Sequence, residues 1–472
     1  MRFYKLISLS ISVCLCSASA WGLAISTQKP GTLSEALKDA GTVTDLTVTG
    51  PIDATDLYYI GRNMPGVVTL DLSGAEILAS RGLKIDGYTD FSQGTLAPGV
   101  FSGTSLRSVI LPTQAGLVIG DGAFMGSALV NVTVPANVDS IGLGAFSGCE
   151  SLENVTLSAC RMGESVFSDC PVLETVNIGS ATTIPTATFK RCAGLSSVKG
   201  SEKITYIGDE AFAGDVCLTD FAFGNSLTYI GTDAFAGSGL KTANLKDAAA
   251  LIHLGEHSFA GTPVEEVTLP NKMEIIADGL FFNSTSLKAI TVPAQVYTIG
   301  AFAFAQTGLS EVLLSEGLSE IGDYAMANAT DLQHIDAVAL EKVPSLGQDV
   351  WVGVDQQSVL LSLFETVADE FAADEQWSKF TFDIRGDRDA VNDLETHNDI
   401  EGRFVGYNLY VRSDPETIDE VRLYDIAGRH LVRLNPQTTT VTVDTSDFDG
   451  NIFIINVKLN NGDTATLKLA RR

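Results

Sequence analysis

One motif returns again and again along this 472-residue chain, and it limits what the chain can become. Residues 119–135 read IGDGAFMGSALVNVTVP, and 141–157 read IGLGAFSGCESLENVTL. Residues 230–245 (IGTDAFAGSGLKTANL) and 299–314 (IGAFAFAQTGLSEVLL) repeat the pattern. A single template, I-G-x-x-A-F-x-x-(C/S/T)-x-L-x-x-V-x-L-P, covers them. Its Phe slot falls at Phe101, Phe124, Phe146, Phe167, Phe189, Phe212, Phe235, Phe259, Phe281, Phe304, Met326 and Trp351, at intervals of 21 to 25 residues. Twelve copies at so even a spacing require a stack of equivalent coils, because one coil alone cannot bury its apolar side.

The spacing also dictates the parts of each coil. In V-x-L the apolar residues alternate, so the segment is a short strand with Val155 and Leu157 inward and Thr156 outward. Val132/Val134, Val267/Leu269 and Ile290/Val292 repeat this, and Pro112, Pro135, Pro270 and Pro293 end the strands. The Gly after Ile suits a tight bend with positive φ. The Phe side chains should stack along the axis as a core spine. Cys149, Cys170 and Cys192 share the slot three after Phe with Ser127 and Thr307, which reads as a small buried site rather than a redox or metal site. A period of 20–29 residues with L-x-x-(V/L)-x-L is the leucine-rich-repeat signature. The expected fold class is therefore a β-rich leucine-rich-repeat solenoid of about 12 coils, with a sheet about 55 Å long, capped at both ends.

The flanks read as caps. In residues 31–72, GTLSEALKDAG and DATDLYYIGRNM are helical, and TDLTVTG and VVTLDLSG are strands. Residues 73–95 have no period and read as a loop or divergent coil. Residues 359–385 form a rear cap of strand, amphipathic helix and strand. Residues 386–403 are polar and read as a linker. In residues 404–472 the alternating runs YNLYV, EVRLYDIAG, TVTVD, NIFIINVKL and TATLKLARR are split by turn signals, which predicts a small β-sandwich.

At the start, Arg2 and Lys5 precede an apolar run over residues 6–16 and an Ala18-Ser19-Ala20 pattern. This is the layout of a signal peptide cleaved after Ala20, too short to span a bilayer. The organisation is then 1–20 signal peptide, 21–95 front cap and first strands, 96–385 solenoid and rear cap, 386–403 linker and 404–472 sandwich. Beyond residue 20 five cysteines remain (Cys149, Cys160, Cys170, Cys192 and Cys217), so at least one is unpaired.

The repeats resemble the BspA-like leucine-rich-repeat surface proteins over roughly residues 31–385. The segment GTLSEAL…VTDLTVTGPIDATDLYYI…MPGVVTLDLSGAEI is similar to the first segment of that family. The C-terminal LYDIAGRHL, VDTSDF…IFIINV and KLARR resemble the type A sorting domain read by the type IX secretion system. That family usually carries Leu-Pro-x-Gly before a Tyr-containing strand. Here Phe448 and Asp449 stand in the first two places and Phe453 replaces the Tyr. The resemblance implies a bacterial protein exported to the outer surface or released, with residues 404–472 read by the secretion machinery. It also implies adhesion to host extracellular-matrix proteins or to other bacteria, and a part in biofilm formation. A structural surface scaffold without a specific ligand is the alternative.

Charge and motifs sort the function classes. With 30 basic and 58 acidic residues the net charge is −28, which disfavours nucleic acid and anionic membranes. No G-x-S-x-G, H-E-x-x-H, Cys-His or zinc-type spacing occurs, so neither enzyme, cofactor nor metal is expected. The candidate ligand contacts are outward slots that stacking turns into ladders. The slot inside V-x-L runs Ile110, Thr133, Thr156, Asn177, Lys199, Ala222, Asn244, Thr268, Thr291 and Leu313. From it Thr133, Thr156, Asn177, Asn244, Thr268 and Thr291 are short and polar. The slot before Ile-Gly runs Thr183, Tyr206, Tyr229, His253 and Ile275, where Tyr206, Tyr229 and His253 are contact candidates. Ordinary strand-face filling gives the same pattern.

Overall fold

A computed structural model describes residues 10–16, 20–38, 40–85, 87–246, 248–385, 400–405, 407–413, 415–425, 429–448 and 452–471. From Thr95 to Arg385 the chain winds as a series of stacked coils built from short parallel strands. The V-x-L strands pair in register, for example Asn131–Thr133 with Asn154–Thr156 and then Thr175–Asn177. Val155 and Leu157 are buried and Thr156 is exposed. A second set of strands ends in the Ile of Ile-Gly, as in Tyr229–Ile230.

The Phe spine is continuous. From Phe101 to Phe304 neighbouring rings stack with centroids 5.2–5.8 Å apart, and Met326 and Trp351 extend the column, all of them buried. The residues two before and two after each spine residue take positive φ in all twelve coils. Gly fills many of these places (Gly122 and Gly126), but Ser165, Asp169, Ala187, Arg191, Phe302 and Tyr324 also occupy them. A bulky residue in left-handed backbone is strained, so coil stacking over-determines these turns.

The glycine after Ile owes its place to something else. Its φ is not positive; it lies against the preceding coil. A Cβ on Gly231 would stand 2.3 Å from Asp209 Oδ1 and 2.5 Å from Asp209 N. This closeness lets Gly231 N donate to Ile207 O at 2.9 Å, which continues the ladder. The next residue is often Asp, and it staples coils together. Asp121, Asp209, Asp278 and Asp323 each accept through Oδ1 from a backbone N–H one coil on, at 2.7–2.9 Å.

The slot three after Phe is explained by hydrogen bonding. Cys149, Cys170 and Cys192 each donate their thiol to the carbonyl of the spine Phe one coil back, at 3.1–3.4 Å, as Ser284 does at 3.0 Å. Thr262 and Thr307 bond the Phe carbonyl of their own coil at 2.7 Å. In most coils the slot thus takes a small side chain with a donor hydrogen, while Ala329 and Val354 fill it near the rear. All five cysteines are free thiols. The neighbouring Cys170 thiol, and then burial, push the Cys149 thiol far above its ordinary range. Asp215 fits the slot poorly. It is fully buried, accepts from Cys192 N at 2.8 Å and leaves Oδ2 without a partner, and burial pushes its pKa up to about 9.

At the front, helix α1 (Leu33–Leu37) and helix α2 (Ala54–Asn63) flank the strand Asp45–Ile52. Asp53 caps α2, and buried Asp56 accepts from Gly31 N and Leu33 N, pinning the two helices together. Ser10–Cys16 pairs antiparallel with Ala20–Ser26 at the sheet edge; residues 1–9 and 17–19, part of the expected signal peptide, lie outside the described residues. Within 73–95, read as a loop or divergent coil, Ala75–Ile77 pairs parallel with Asp45–Ile52, and an antiparallel hairpin, Ser80–Ile85 with Tyr88–Phe91, follows it. At the rear, the strand Leu360–Phe364, helix α3 (Glu365–Ala373) and the strand Thr381–Arg385 close the core, with Trp377 packed 5.1 Å from Trp351.

Of the expected linker, residues 386–399 lie outside the described residues, and Ile400 opens a strand, Ile400–Val405, because it is buried in the following domain. That domain is a sandwich of antiparallel strands. One sheet holds Ile400–Val405, Asn408–Ser413 and Thr440–Asp444; the other holds His430–Leu434, Ile418–Asp425, Ile452–Leu459 and Thr464–Ala470. Their inner faces share a separate core that includes Leu409, Leu423, Phe453 and Ile455. Lys246 of the solenoid lies 3.2 Å from Asp444 and 3.7 Å from Asp447 of the sandwich.

Candidate functional site

The expected 55 Å sheet is interrupted. On the Ile-Gly side the coils form separate blocks: Thr95–Leu96 to Arg161–Met162, Thr183–Ile184 to His253–Leu254, and Ile275–Ile276 to Ser345–Leu346. Each interruption falls where the glycine after Ile is missing. Pro185 has no N–H to donate, and Ala277 carries a Cβ where the coils would touch. The middle block holds the aromatic candidates.

In that block Ile207, Ile230 and Leu254 point inward and are buried. Period-2 geometry therefore sends Tyr206, Tyr229 and His253 outward. Parallel pairing aligns Thr183, Tyr206, Tyr229 and His253 in one row. The rings stack with centroids 4.7 Å apart and planes 11° apart for Tyr206–Tyr229, and 4.5 Å and 12° for Tyr229–His253. Tyr206 is 38% exposed. Burial, then the charges of Asp209 and of Tyr206, push the Tyr229 phenol up, so at neutral pH it stays an uncharged donor. Ile275, next in the sequence slot, falls in the following block and is not part of this row.

The polar candidates divide as well. Thr133, Thr156 and Asn177 share one row with Lys199; Asn244 and Thr268 share a second; Thr291 belongs to a third with Leu313. All six are exposed. Asn177 and Asn244 are partly committed, since each accepts the backbone N–H two residues on, from Gly179 and Lys246.

One arrangement was invisible in the sequence. His334 Nδ1 lies 3.0 Å from Glu311 Oε1, and its Nε2 lies 2.9 Å from Ser362 Oγ. This has the outline of a nucleophile, a base and an orienting carboxylate. Ser362, however, is fully buried and donates its proton to Asp383 Oδ2 at 2.8 Å, while Arg385 binds both. The Ser362 hydroxyl and Arg385 hold the Asp383 carboxyl below its usual range despite partial burial. A sealed hydroxyl with a committed proton is placed to tie the strands of the rear cap, not to attack a substrate. Among the described residues no group of three or more His, Cys, Asp and Glu could hold a metal ion, and no helix is long and apolar enough to cross a membrane.

Residues 117–241 and 252–355 match a family described as the BspA type leucine rich repeat region, in six copies. Residues 399–470 match a domain of unknown function (DUF8694). No curated protein matches the sequence. Among solved structures, a leucine-rich repeat protein from Bacteroides ovatus is 20% identical with a TM-score of 0.50, covering 81% of this chain and 100% of that one. A leucine rich cell surface protein from Faecalibacterium prausnitzii is 16% identical, TM-score 0.30, covering 71% and 94%. The pneumococcal vaccine antigen PcpA is 13% identical, TM-score 0.30, covering 81% and 99%. With its stacked coils, Phe spine and separate antiparallel domain, the chain has the fold of a leucine-rich-repeat solenoid followed by a β-sandwich, and its repeat region is similar to the BspA type.

Proposed function

We propose that this protein is exported and acts as a binding surface for other proteins, in adhesion to host extracellular-matrix proteins or to other bacteria and in biofilm formation. The observation that carries the reading is the outward row Tyr206–Tyr229–His253, three stacked rings on a rigid sheet. Aromatic rings held by a scaffold offer contact area at small entropic cost. The similarity to BspA-type repeats supports the same class of function. The test is a panel of matrix proteins and partner bacteria probed with the full chain and with its Tyr206→Ser/Tyr229→Ser variant. Saturable binding that the variant lowers about ten-fold or more supports the reading. Absence of binding to every member would favour the scaffold without a specific ligand.

Residues 404–472 take the role of an address in this proposal, read by the secretion machinery, and residues 1–20 that of a signal peptide cleaved after Ala20. Support comes from the resemblance of the C-terminal motifs to sorting domains and from the sandwich having its own core. Removing residues 400–472 should leave the remainder in the periplasm, as read by cell fractionation. Normal surface display of the truncated chain would refute the address.

A further inference from the structure

The interruption at Ala277 leaves an opening that none of the described residues fills. On the Ile-Gly side, His253–Leu254 ends one block and Ile275–Ile276 begins the next. On the V-x-L side the pairing lapses at the same junction: Glu266–Thr268 pairs back to Thr242–Asn244, and Ala289–Thr291 starts a new sheet. Among the described residues only the Phe side stays bonded, through His257 N to Asp278 O, Phe259 N to Leu280 O and Gly261 N to Phe282 O at 2.7–3.1 Å. The two coils are thus hinged along the spine and parted opposite to it.

The parting encloses a cleft of about 550 Å³ between residues 251–256 and 270–278. That volume is within the range of ligand sites. Its walls are aliphatic: Ile252 is 88% exposed, Ile275 is 48% exposed, and Met273 lies beside them. Its polar edge carries Glu256, Glu274 and Asp278 against one cation, Lys272. Asp278 Oδ1 is committed to Ala301 N. His253 lines the same cleft and joins it to the ring stack.

We infer that this cleft receives a lysine or arginine side chain of a partner protein. Such a side chain has an aliphatic stem for Ile252, Ile275 and Met273 and a cationic head for the carboxylates. The net charge of −28 draws basic partners toward the surface and repels acidic ones. A wholly apolar occupant would leave the carboxylates desolvated and unpaired. This inference rests on the binding-surface reading and adds to it the site and the chemistry of what is bound.

The test uses the full chain and two probes, acetyl-tetraarginine amide and acetyl-tetraglutamate amide, titrated by calorimetry at about 0.15 M salt, where exposed charges are screened. Tetraarginine should bind and tetraglutamate should not. Ala277→Gly keeps the net charge, lets the coils close as at Gly255, and should weaken tetraarginine about ten-fold. Glu256→Gln/Glu274→Gln should weaken it as much, while the distant pair Glu150→Gln/Glu153→Gln, with the same change of charge, should not. Equal weakening by both pairs, or undiminished binding to Ala277→Gly, would overturn the site. Either result would leave the partner panel above free to succeed, so the two ideas fail separately.

Discussion

Phe212 in the solenoid meets Phe189 at 5.5 Å and Phe235 at 5.2 Å, one coil to each side, and it is fully buried. Phe453 in the sandwich is equally buried, but it meets Phe404 at 5.2 Å and the Arg471 guanidinium at 5.1 Å, from the two ends of its domain. The first core is a line in which each ring depends on its neighbours in sequence. The second is a closed volume that exists only when its whole sheet pair has formed. Burial alone therefore says little about how damage spreads; the connectivity of the buried groups decides it.

The largest test removes one ring from each core. Phe212→Ala should lower solenoid stability by about 3–5 kcal/mol, and Phe453→Ala should do the same to the sandwich. Calorimetry should show two transitions, each moved by its own variant. If Phe453→Ala shifts both, the two cores are one cooperative unit and the contrast fails.

Asp215 sharpens the picture of the line, because one misfit in the slot should be felt locally. Its folded pKa, about 9, stands above the ordinary 3.8, so the folded state holds the proton more tightly. Its contribution to stability is full below pH ~3.8 and is lost progressively as pH rises toward ~9. Asp215→Asn should lack this decline. It should be more stable than the parent by on the order of 1–4 kcal/mol at pH 7, with the gap widening toward pH 9. A gap that is constant from pH 4 to pH 9 would show that Asp215 does not carry the raised pKa.

The cysteine slot should be more forgiving. Cys149→Ser/Cys170→Ser/Cys192→Ser keeps a small donor opposite each Phe carbonyl, so the triple variant should lie within about 1–2 kcal/mol of the parent. A loss of partner binding with the fold intact would instead reveal thiol chemistry. The smallest effect belongs to removal of residues 400–472. Lys246 loses its exposed pairing with Asp444 and Asp447, worth about 0–1 kcal/mol. The solenoid transition should therefore stay where it was, and a marked drop would mean that the sandwich braces the coils.

The period, the spine and the V-x-L strands were legible because each is written by large apolar residues in every coil. The row Tyr206–Tyr229–His253 was legible for the same reason: register follows from the repeat. The glycine after Ile is plain in the sequence, but its cause is not. A close approach between coils leaves no local mark, whereas positive φ is the habitual reason for Gly. The true left-handed positions are masked in the sequence, since Ser165, Arg191, Phe302 and Tyr324 hide the glycine pattern. The cluster Glu311–His334–Ser362–Asp383 draws on four separate strands and has no sequence spacing to betray it. Ile400 was hidden by its polar neighbours, and the strand became evident only from what covers it.

The junction at Ala277, where both strand rows lapse, bears on time as well as on shape. Where inter-coil amide bonds lapse, opening of one block no longer has to carry its neighbour with it. The array should then breathe in two segments, with amides nearest that junction exchanging with deuterium before those farther away. Assembly can run the same course in reverse, each block nucleating on its own short-range contacts and docking afterwards, so a chain of this length need not search for distant partners.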